Sequence, residues 1–197
     1  MHVKVDAVVE QKGMSNKNRY SFCLFDSITT ESTKPLIDLI KDMAEGSILD
    51  LYINSRGGSV PVAIGVFNFI KTIKNLEINT YNVGHCDSVA ILLFLSGSHR
   101  FVLKNSSFFM HSLQLNFTQP QTINTLAVEI KKLKDDTTTL INLLTENSNI
   151  SRKQWNSLMS DKGTLIRAKK AVTMALTESI LDKCYIPKNK NKENKKC

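Results

Sequence analysis

Segments that fit β-strands alternate with segments that fit helices along most of this chain. The apolar, β-branched and aromatic stretches typical of strands lie at residues 20–25, 48–54, 78–83, 100–103 and 107–111. The stretches with helical spacing of apolar residues run from Thr30 or Ser32 to Gly46 and from 60 to 73. Such alternation is typical of α/β layers with a mostly parallel sheet. The sequence therefore predicts an α/β fold.

The second half of the chain is predicted to be more helical. A polar loop at 114–121 precedes a long helix from about 122 to 146, and this helix has apolar residues on more than one side. Ser151 resembles the N-cap of a further helix, and residues 168–176 fit a last one. Apolar side chains on several sides of one helix indicate that it packs against more than one neighbour, such as another subunit.

The length of 197 residues and the hydrophobic fraction of 42% suit one domain with a sizeable core. We expect an N-terminal arm at 1–19, the folded domain at 20–186 and a disordered tail at 187–197. The tail is rich in lysine and asparagine and supplies about half of the net charge of +8. The folded part is therefore only mildly basic.

Composition argues against several classes of protein. Aromatic residues do not alternate with basic ones, so we expect no nucleic-acid partner. The longest apolar run, 89–95, is too short to cross a bilayer, and nothing resembles a signal peptide. The four cysteines have no metal-ligand spacing. These features predict a cytoplasmic protein that needs no metal and no organic cofactor.

Residues 83–95 join a small polar cluster to a long apolar run. This pattern predicts a strand end, a tight turn and the first turn of a buried helix, with Ser88 at the helix N-terminus. A serine at that place can be an ordinary N-cap. It can also be a nucleophile, because free N–H groups and the helix dipole there favour developing negative charge.

Two further positions could complete a catalytic site. Gly57-Gly58 follows the strand before that of Ser88, so the amides of Gly58 and Val89 could point at one oxygen as an oxyanion hole. The alternative for the two glycines is a simple tight turn. His111 ends a short apolar strand, where it could be a general base or a packed core residue.

The order of these motifs resembles that of the proteolytic subunit of the Clp protease, ClpP. The matching stretches are YINSRGGSV at 52–60, GHCDSVA at 84–90 and RFVLKNSSFFMH at 100–111, within a similarity that runs from about 20 to 181. The resemblance implies a ClpP/crotonase-like fold with a protruding strand–helix handle. It also implies a serine peptidase with Ser88 as nucleophile, His111 as base, and Gly58 and Val89 as oxyanion-hole donors.

The resemblance further implies homo-oligomers of two stacked seven-membered rings, or a mixed ring with a paralogue. The partners would be an AAA+ unfoldase that feeds unfolded proteins or peptides into the chamber. In such assemblies the long helix and the strand before it would form the contact between rings.

The chain departs from the family pattern beside the serine and at the third triad position. His85, Cys86 and Asp87 stand where the family has small neutral residues, and we interpret Cys86 and Asp87 as structural. Pairing the C-terminal part without gaps puts Gly163 where the family keeps its aspartate. A short insertion would bring Asp161 into register, so Asp161 is the predicted third member.

Three functions follow as hypotheses. The first is an ATP-dependent Clp-type serine endopeptidase. The second is a catalytically weak or silent ring subunit. A phage-type peptidase that matures capsids is a variant of the first. The third is an acyl-CoA enzyme on the crotonase version of the fold, for which the cleft would need glutamates that the sequence does not place near Ser88.

Overall fold

The computed structural model describes residues 17–184, so most of the predicted arm and the whole basic tail lie outside the described residues. Seven strands form one sheet: β1 (Arg19–Leu24), β2 (Ile48–Ser55), β3 (Glu77–Asp87), β4 (His99–Leu103), β5 (Ser107–Met110), β6 (Thr164–Arg167) and β7 (Ser179–Leu181). Six helices accompany them: α1 (Thr30–Asp42), α2 (Val60–Thr72), α3 (Ala90–Phe94), α4 (Ile123–Glu146), α5 (Arg152–Leu158) and α6 (Ala168–Thr173). The α/β fold with a mostly parallel sheet is confirmed.

The sheet branches at β3. The strand order β1-β2-β3-β4-β7 is parallel throughout. The first half of β3 pairs with β4, while its last three residues pair in parallel with β5. β6 pairs antiparallel with β5. Because β2, β3 and β5 are parallel, their carboxyl ends meet at one edge of the sheet, where α/β proteins place their ligand sites.

Strand β3 is longer than the predicted strand at 78–83. Residues 84–87 had the composition of a turn, but the strand continues to Asp87. The amide of His85 donates to Asn54 Oδ1 at 2.9 Å, and Cys86 pairs with Ser55. These bonds to β2, with the pairing to β5 on the other side, satisfy the backbone of a polar segment as a strand. The four-residue strand β6 was not predicted, because its sequence carries no distinctive alternation.

The short helix α3 lies at the centre of the core. All of its residues from Ala90 to Phe94 are buried, and Phe94 meets Phe108 of β5 edge to face at 5.0 Å between ring centroids. A helix that is apolar on every side is stable only when surrounded. Val89, which directly precedes this helix, is thereby anchored in the buried core.

Helix α4 is packed only near its C-terminal end. Its buried residues are Leu140, Ile141 and Leu144, whereas Ile123 at the other end is 85% exposed. Residues 111–122 before it are irregular, so the strand part of the predicted handle is wrong for this chain as described. A strand there would need a neighbour for its amides and carbonyls, and the described residues offer none. No described helix is long and apolar enough to cross a membrane.

A buried carboxylate ties the first three strands together on the opposite side of the sheet from α3. Asp50 is fully buried and accepts from Arg19 Nε at 2.5 Å and Nη2 at 2.9 Å. The Asn79 side chain through Nδ2 and the Tyr81 hydroxyl each donate to Asp50 Oδ1 at 3.2 Å. The Arg19 pKa is raised by its hydrogen bond to Asp50, and burial with the Asp50 charge raises the pKa of Tyr81 to about 12.

Replacing Asp50 by alanine is expected to lower the free energy of unfolding by about 3 kcal/mol, the lower range for breaking a buried ion pair. The loss comes from donors of Arg19, Asn79 and Tyr81 left without their acceptor. Urea denaturation followed by tryptophan fluorescence measures it. An unchanged midpoint would mean that this network contributes no stability.

Candidate active site

The predicted catalytic residues gather at the carboxyl edge of the sheet. Ser88 follows β3, Gly57-Gly58 follows β2, and His111 follows β5. Asp87 of β3 stands opposite Phe109 of β5, so the residues just after both strands are neighbours across parallel strands. The fold therefore brings Ser88, His111 and the two glycines to one edge.

Ser88 occupies a strained turn between strand and helix. Its φ of 55° lies in the left-handed region, which serine rarely adopts. The Ser88 amide donates to the Phe109 carbonyl at 2.7 Å, and the following helix α3 is buried, so both sides of the turn are fixed. The N-cap of α3 is Val89, so the N-cap interpretation of Ser88 is wrong. Strain held in place by its surroundings is common at catalytic residues.

Gly57 and Gly58 are packed too closely for any side chain. A Cβ on Gly57, whose φ is 95°, would lie 2.8 Å from Ser88 Cβ and 2.9 Å from the Asp87 carbonyl oxygen. A Cβ on Gly58 would lie 2.4 Å from the Ile28 carbonyl oxygen. The amide of Ile28 donates to the Gly57 carbonyl at 2.8 Å, which fixes the turn from the β1 side. The two glycines thus let backbone approach the serine directly, which a simple turn would not require.

Both predicted oxyanion-hole amides are available to a ligand. Within residues 17–184, neither the Gly58 amide nor the Val89 amide donates to another group, whereas the adjacent amides of Gly57, Ser59 and Ser88 all do. Val89 is fully buried, and an unpaired buried N–H is costly, whereas Gly58 is exposed and water can reach its amide. The arrangement is suited to hold a negatively charged oxygen.

The His111 ring is held by the residue that follows it. Its Nδ1 lies 2.7 Å from the Ser112 carbonyl oxygen. A carbonyl oxygen only accepts, so Nδ1 is the donor, and in the neutral form of the ring Nε2 then presents a lone pair. A neutral imidazole in this tautomer is what a general base needs. The Phe109 ring lies beside it, at 5.7 Å between ring centroids.

Asp161 reaches this histidine only through Ser112. The Ser112 hydroxyl donates to Asp161 Oδ1 at 2.8 Å, and the Ser112 amide donates to the Ser160 carbonyl at 3.3 Å. Among the described residues, no hydrogen bond or ion pair joins Asp161 to the imidazole, and none joins the Ser88 hydroxyl to it. The structure therefore places Asp161 one residue away from the ring, against the residue that orients it.

Two residues beside the serine have altered acidity. Burial raises the pKa of the Cys86 thiol well above its ordinary value, with a smaller contribution from Asp87, so the thiol stays protonated and is a poor nucleophile. Burial also raises the pKa of Asp87, although His85, Arg56, the Phe109 amide and His111 oppose it. Asp87 Oδ1 is buried without a partner among the described residues.

Replacing Asp87 by asparagine is expected to stabilise the protein at neutral pH. Because the pKa of Asp87 is raised, the folded state holds its proton more tightly than the unfolded state. The free energy of unfolding therefore falls as pH rises from the ordinary aspartate pKa through the raised one. The variant lacks this loss of stability, so its melting temperature should exceed that of the wild type at pH 7.

Below the ordinary aspartate pKa of about 3.9, the two proteins should differ little. Differential scanning calorimetry across this pH range measures both quantities. A variant that melts lower than the wild type at pH 7 would show that the ionised carboxylate has a stabilising partner.

Ser112 belongs to the site although the sequence does not predict it. Both its carbonyl and its hydroxyl serve the site, but a serine after a histidine carries no recognisable signal. No group of three or more histidine, cysteine, aspartate or glutamate side chains within 17–184 is arranged to hold a metal ion.

The chain was compared with models of known protein families. Residues 17–184, which make up most of the chain and include every predicted catalytic position, match the family described as Clp protease.

Proposed function

This chain belongs to the Clp protease family, and on that premise we propose that it is a serine endopeptidase subunit that hydrolyses peptide bonds of unfolded proteins. Ser88 is the nucleophile, His111 the general base and acid, and the amides of Gly58 and Val89 form the oxyanion hole. The observation that carries the proposal is the contact between His111 Nδ1 and the Ser112 carbonyl oxygen. The Nδ1 proton is held by the Ser112 carbonyl, which leaves Nε2 free to take a proton at the edge where Ser88 stands.

The proposed reaction follows from these groups. His111 Nε2 takes the hydroxyl proton as Ser88 Oγ attacks the scissile carbonyl, and the charge that develops on oxygen is met by two free amides. The imidazolium then gives its proton to the leaving amine, and the acyl-enzyme forms. Water, activated by the same imidazole, releases the second product and regenerates Ser88. The protonated Cys86 takes no part.

Assembly into rings is part of the proposal. The first part of α4 exposes the apolar side chains of Ile123, Val128 and Ile130 on more than one side of the helix. This exposure supports a contact between subunits. We expect stacked seven-membered rings, an AAA+ unfoldase as partner and a cytoplasmic location. Sedimentation velocity at micromolar concentration tests the assembly, and a single monomeric species would contradict it.

A catalytically silent ring subunit is the second candidate. It is favoured by one observation, that no hydrogen bond within the described residues connects Ser88 to His111 or His111 to Asp161. Hydrolysis of internally quenched peptides by the purified assembly separates the two. Turnover that far exceeds the rate without protein supports the peptidase, and its absence from correctly assembled rings supports the silent subunit.

Asp161 is proposed to act as a positioning residue through Ser112. Asparagine at 161 can still accept from the Ser112 hydroxyl, so Asp161→Asn is expected to lower kcat by no more than about tenfold, the value of one neutral hydrogen bond. KM should stay unchanged. Direct contact with the imidazole would instead predict a loss of about 10⁴.

The matched variant Asp161→Ala removes the acceptor and should lower kcat more than the asparagine does. Steady-state kinetics with one quenched peptide compares all three proteins. Equal, very large losses in both variants would show that Asp161 meets the ring directly during catalysis.

A further inference from the structure

A cavity of about 350 Å³ opens beside the serine, at the same edge of the sheet. Its walls come from the carboxyl ends of β1, β2 and β3, with Phe25 and Asp26 after β1, Asn54 and Arg56 at the end of β2, and His85 on β3. His111 follows β5, on the other side of β3. The cavity therefore flanks Ser88 on the side away from the general base, with Gly57-Gly58 between.

The wall of the cavity lies close to the nucleophile. Arg56 directly precedes Gly57, whose Cβ position is 2.8 Å from Ser88 Cβ. A substrate whose scissile carbonyl points at the Gly58 amide must extend from there in both directions along the carboxyl edge. One direction leads past Arg56, which directly precedes the two glycines. A side chain of the substrate close to the scissile bond can therefore enter the cavity.

Arg56 supplies a positive charge to the cavity, and this charge also acts on the nearby Asp87. Among residues 17–184 Arg56 makes no ion pair and no side-chain hydrogen bond, and its side chain is exposed. Asn54 accepts the His85 amide through Oδ1, which leaves its NH₂ group as a donor. The His85 ring is half exposed and adds a third donor. Phe25, 59% exposed, offers an apolar wall for methylene groups.

The two carboxylates near the cavity, those of Asp26 and Asp87, leave Arg56 available to a ligand. Asp26 accepts the amide of Ser27 through Oδ1 at 2.7 Å, so it is turned toward its own backbone. Asp87 is buried beneath His85, at 3.8 Å from its Nδ1, and does not line the cavity. Within residues 17–184, neither carboxylate forms an ion pair with Arg56.

From this arrangement we propose that the cavity is a specificity subsite for an acidic side chain of the substrate, glutamate or aspartate, bound by Arg56 with Asn54 and His85 as further donors. The guanidinium fork matches a carboxylate in two hydrogen bonds. The proposal rests on the proposed peptidase function, whose nucleophile and oxyanion hole define where the substrate lies.

Internally quenched peptides that differ only by glutamate or glutamine test the subsite, with the exchange made in turn at each of several positions around the scissile bond. We expect kcat/KM to favour glutamate by about tenfold at one position, the lower range for a hydrogen bond to a charged group. Arg56→Gln should remove this preference, so that the ratio of kcat/KM for the glutamate and glutamine peptides falls to about one. Arg152→Gln, which changes an exposed arginine on α5, is the matched control and should retain the preference.

The results of this experiment test the acidic subsite separately from the proposed peptidase function. Cleavage without a glutamate preference at any position, or a preference that survives Arg56→Gln, overturns the subsite and leaves the peptidase intact. If the wild type cleaves no peptide, the proposed function fails, and binding of the same fluorescent peptides to Ser88→Ala by anisotropy decides the subsite alone. Tighter binding of the glutamate peptide, lost in Ser88→Ala/Arg56→Gln, supports it, and equal binding overturns it.

Discussion

Alanine at position 88 is expected to lower kcat for peptide hydrolysis by about a million-fold, the loss seen when a serine nucleophile is removed from a working triad. Only the hydroxyl is deleted, and within the described residues no hydrogen bond holds it. The backbone bond from the Ser88 amide to the Phe109 carbonyl does not depend on the side chain. The variant should therefore fold, assemble and melt like the wild type.

Ser98→Ala provides the control for this result. Ser98 lies in the exposed turn after α3, on the other side of the core, and loses the same single atom. Its kcat and KM should equal those of the wild type. Ser88→Ala with undiminished turnover would exclude Ser88 as the nucleophile, whatever the control shows.

Alanine at position 58 is expected to reduce kcat by about 10² to 10³, the usual effect of losing one oxyanion-hole donor. Its Cβ would lie 2.4 Å from the Ile28 carbonyl oxygen and 2.6 Å from the Ile28 nitrogen, and backbone atoms cannot turn away. The turn must shift and take the Gly58 amide with it. The φ of 153° adds strain, so the melting temperature should fall as well.

Gly65→Ala is the matched control, because it adds the same methyl group within α2 with no atom within 4 Å. Alanine is the better helix former, so this variant should gain about 0.5–1 kcal/mol in the free energy of unfolding. Its kcat should not change. Equal behaviour of the two glycine variants would show that the close packing at Gly58 has no catalytic role.

The parts of the fold that follow from local patterns could be predicted from the sequence. The capping box of Ser151 with Gln154 marks the start of α5, and the strands β1, β2 and β4 were placed within one residue at each end. Hydrophobic spacing and helix capping depend on residues close together in sequence, so a single sequence is enough to predict them.

The features that depend on tertiary pairing could not be predicted. The continuation of β3 through Asp87 depends on bonds to Asn54 and to β5, which are distant in sequence. The left-handed conformation of Ser88 results from the fixed strand before it and the buried helix after it. The same limit holds for Ser112, whose role requires Asp161 to be brought alongside by the turn before β6.

The reactivity of one hydroxyl tests the central claim most directly. The wild-type protein is incubated with a fluorophosphonate probe, and its peptides are mapped by mass spectrometry. We expect a single adduct on Ser88, and much slower labelling in His111→Ala, because the probe reacts only with a serine whose proton is taken by a base. Failure of the assembled wild-type protein to form an adduct, or an adduct on another residue, would contradict the account.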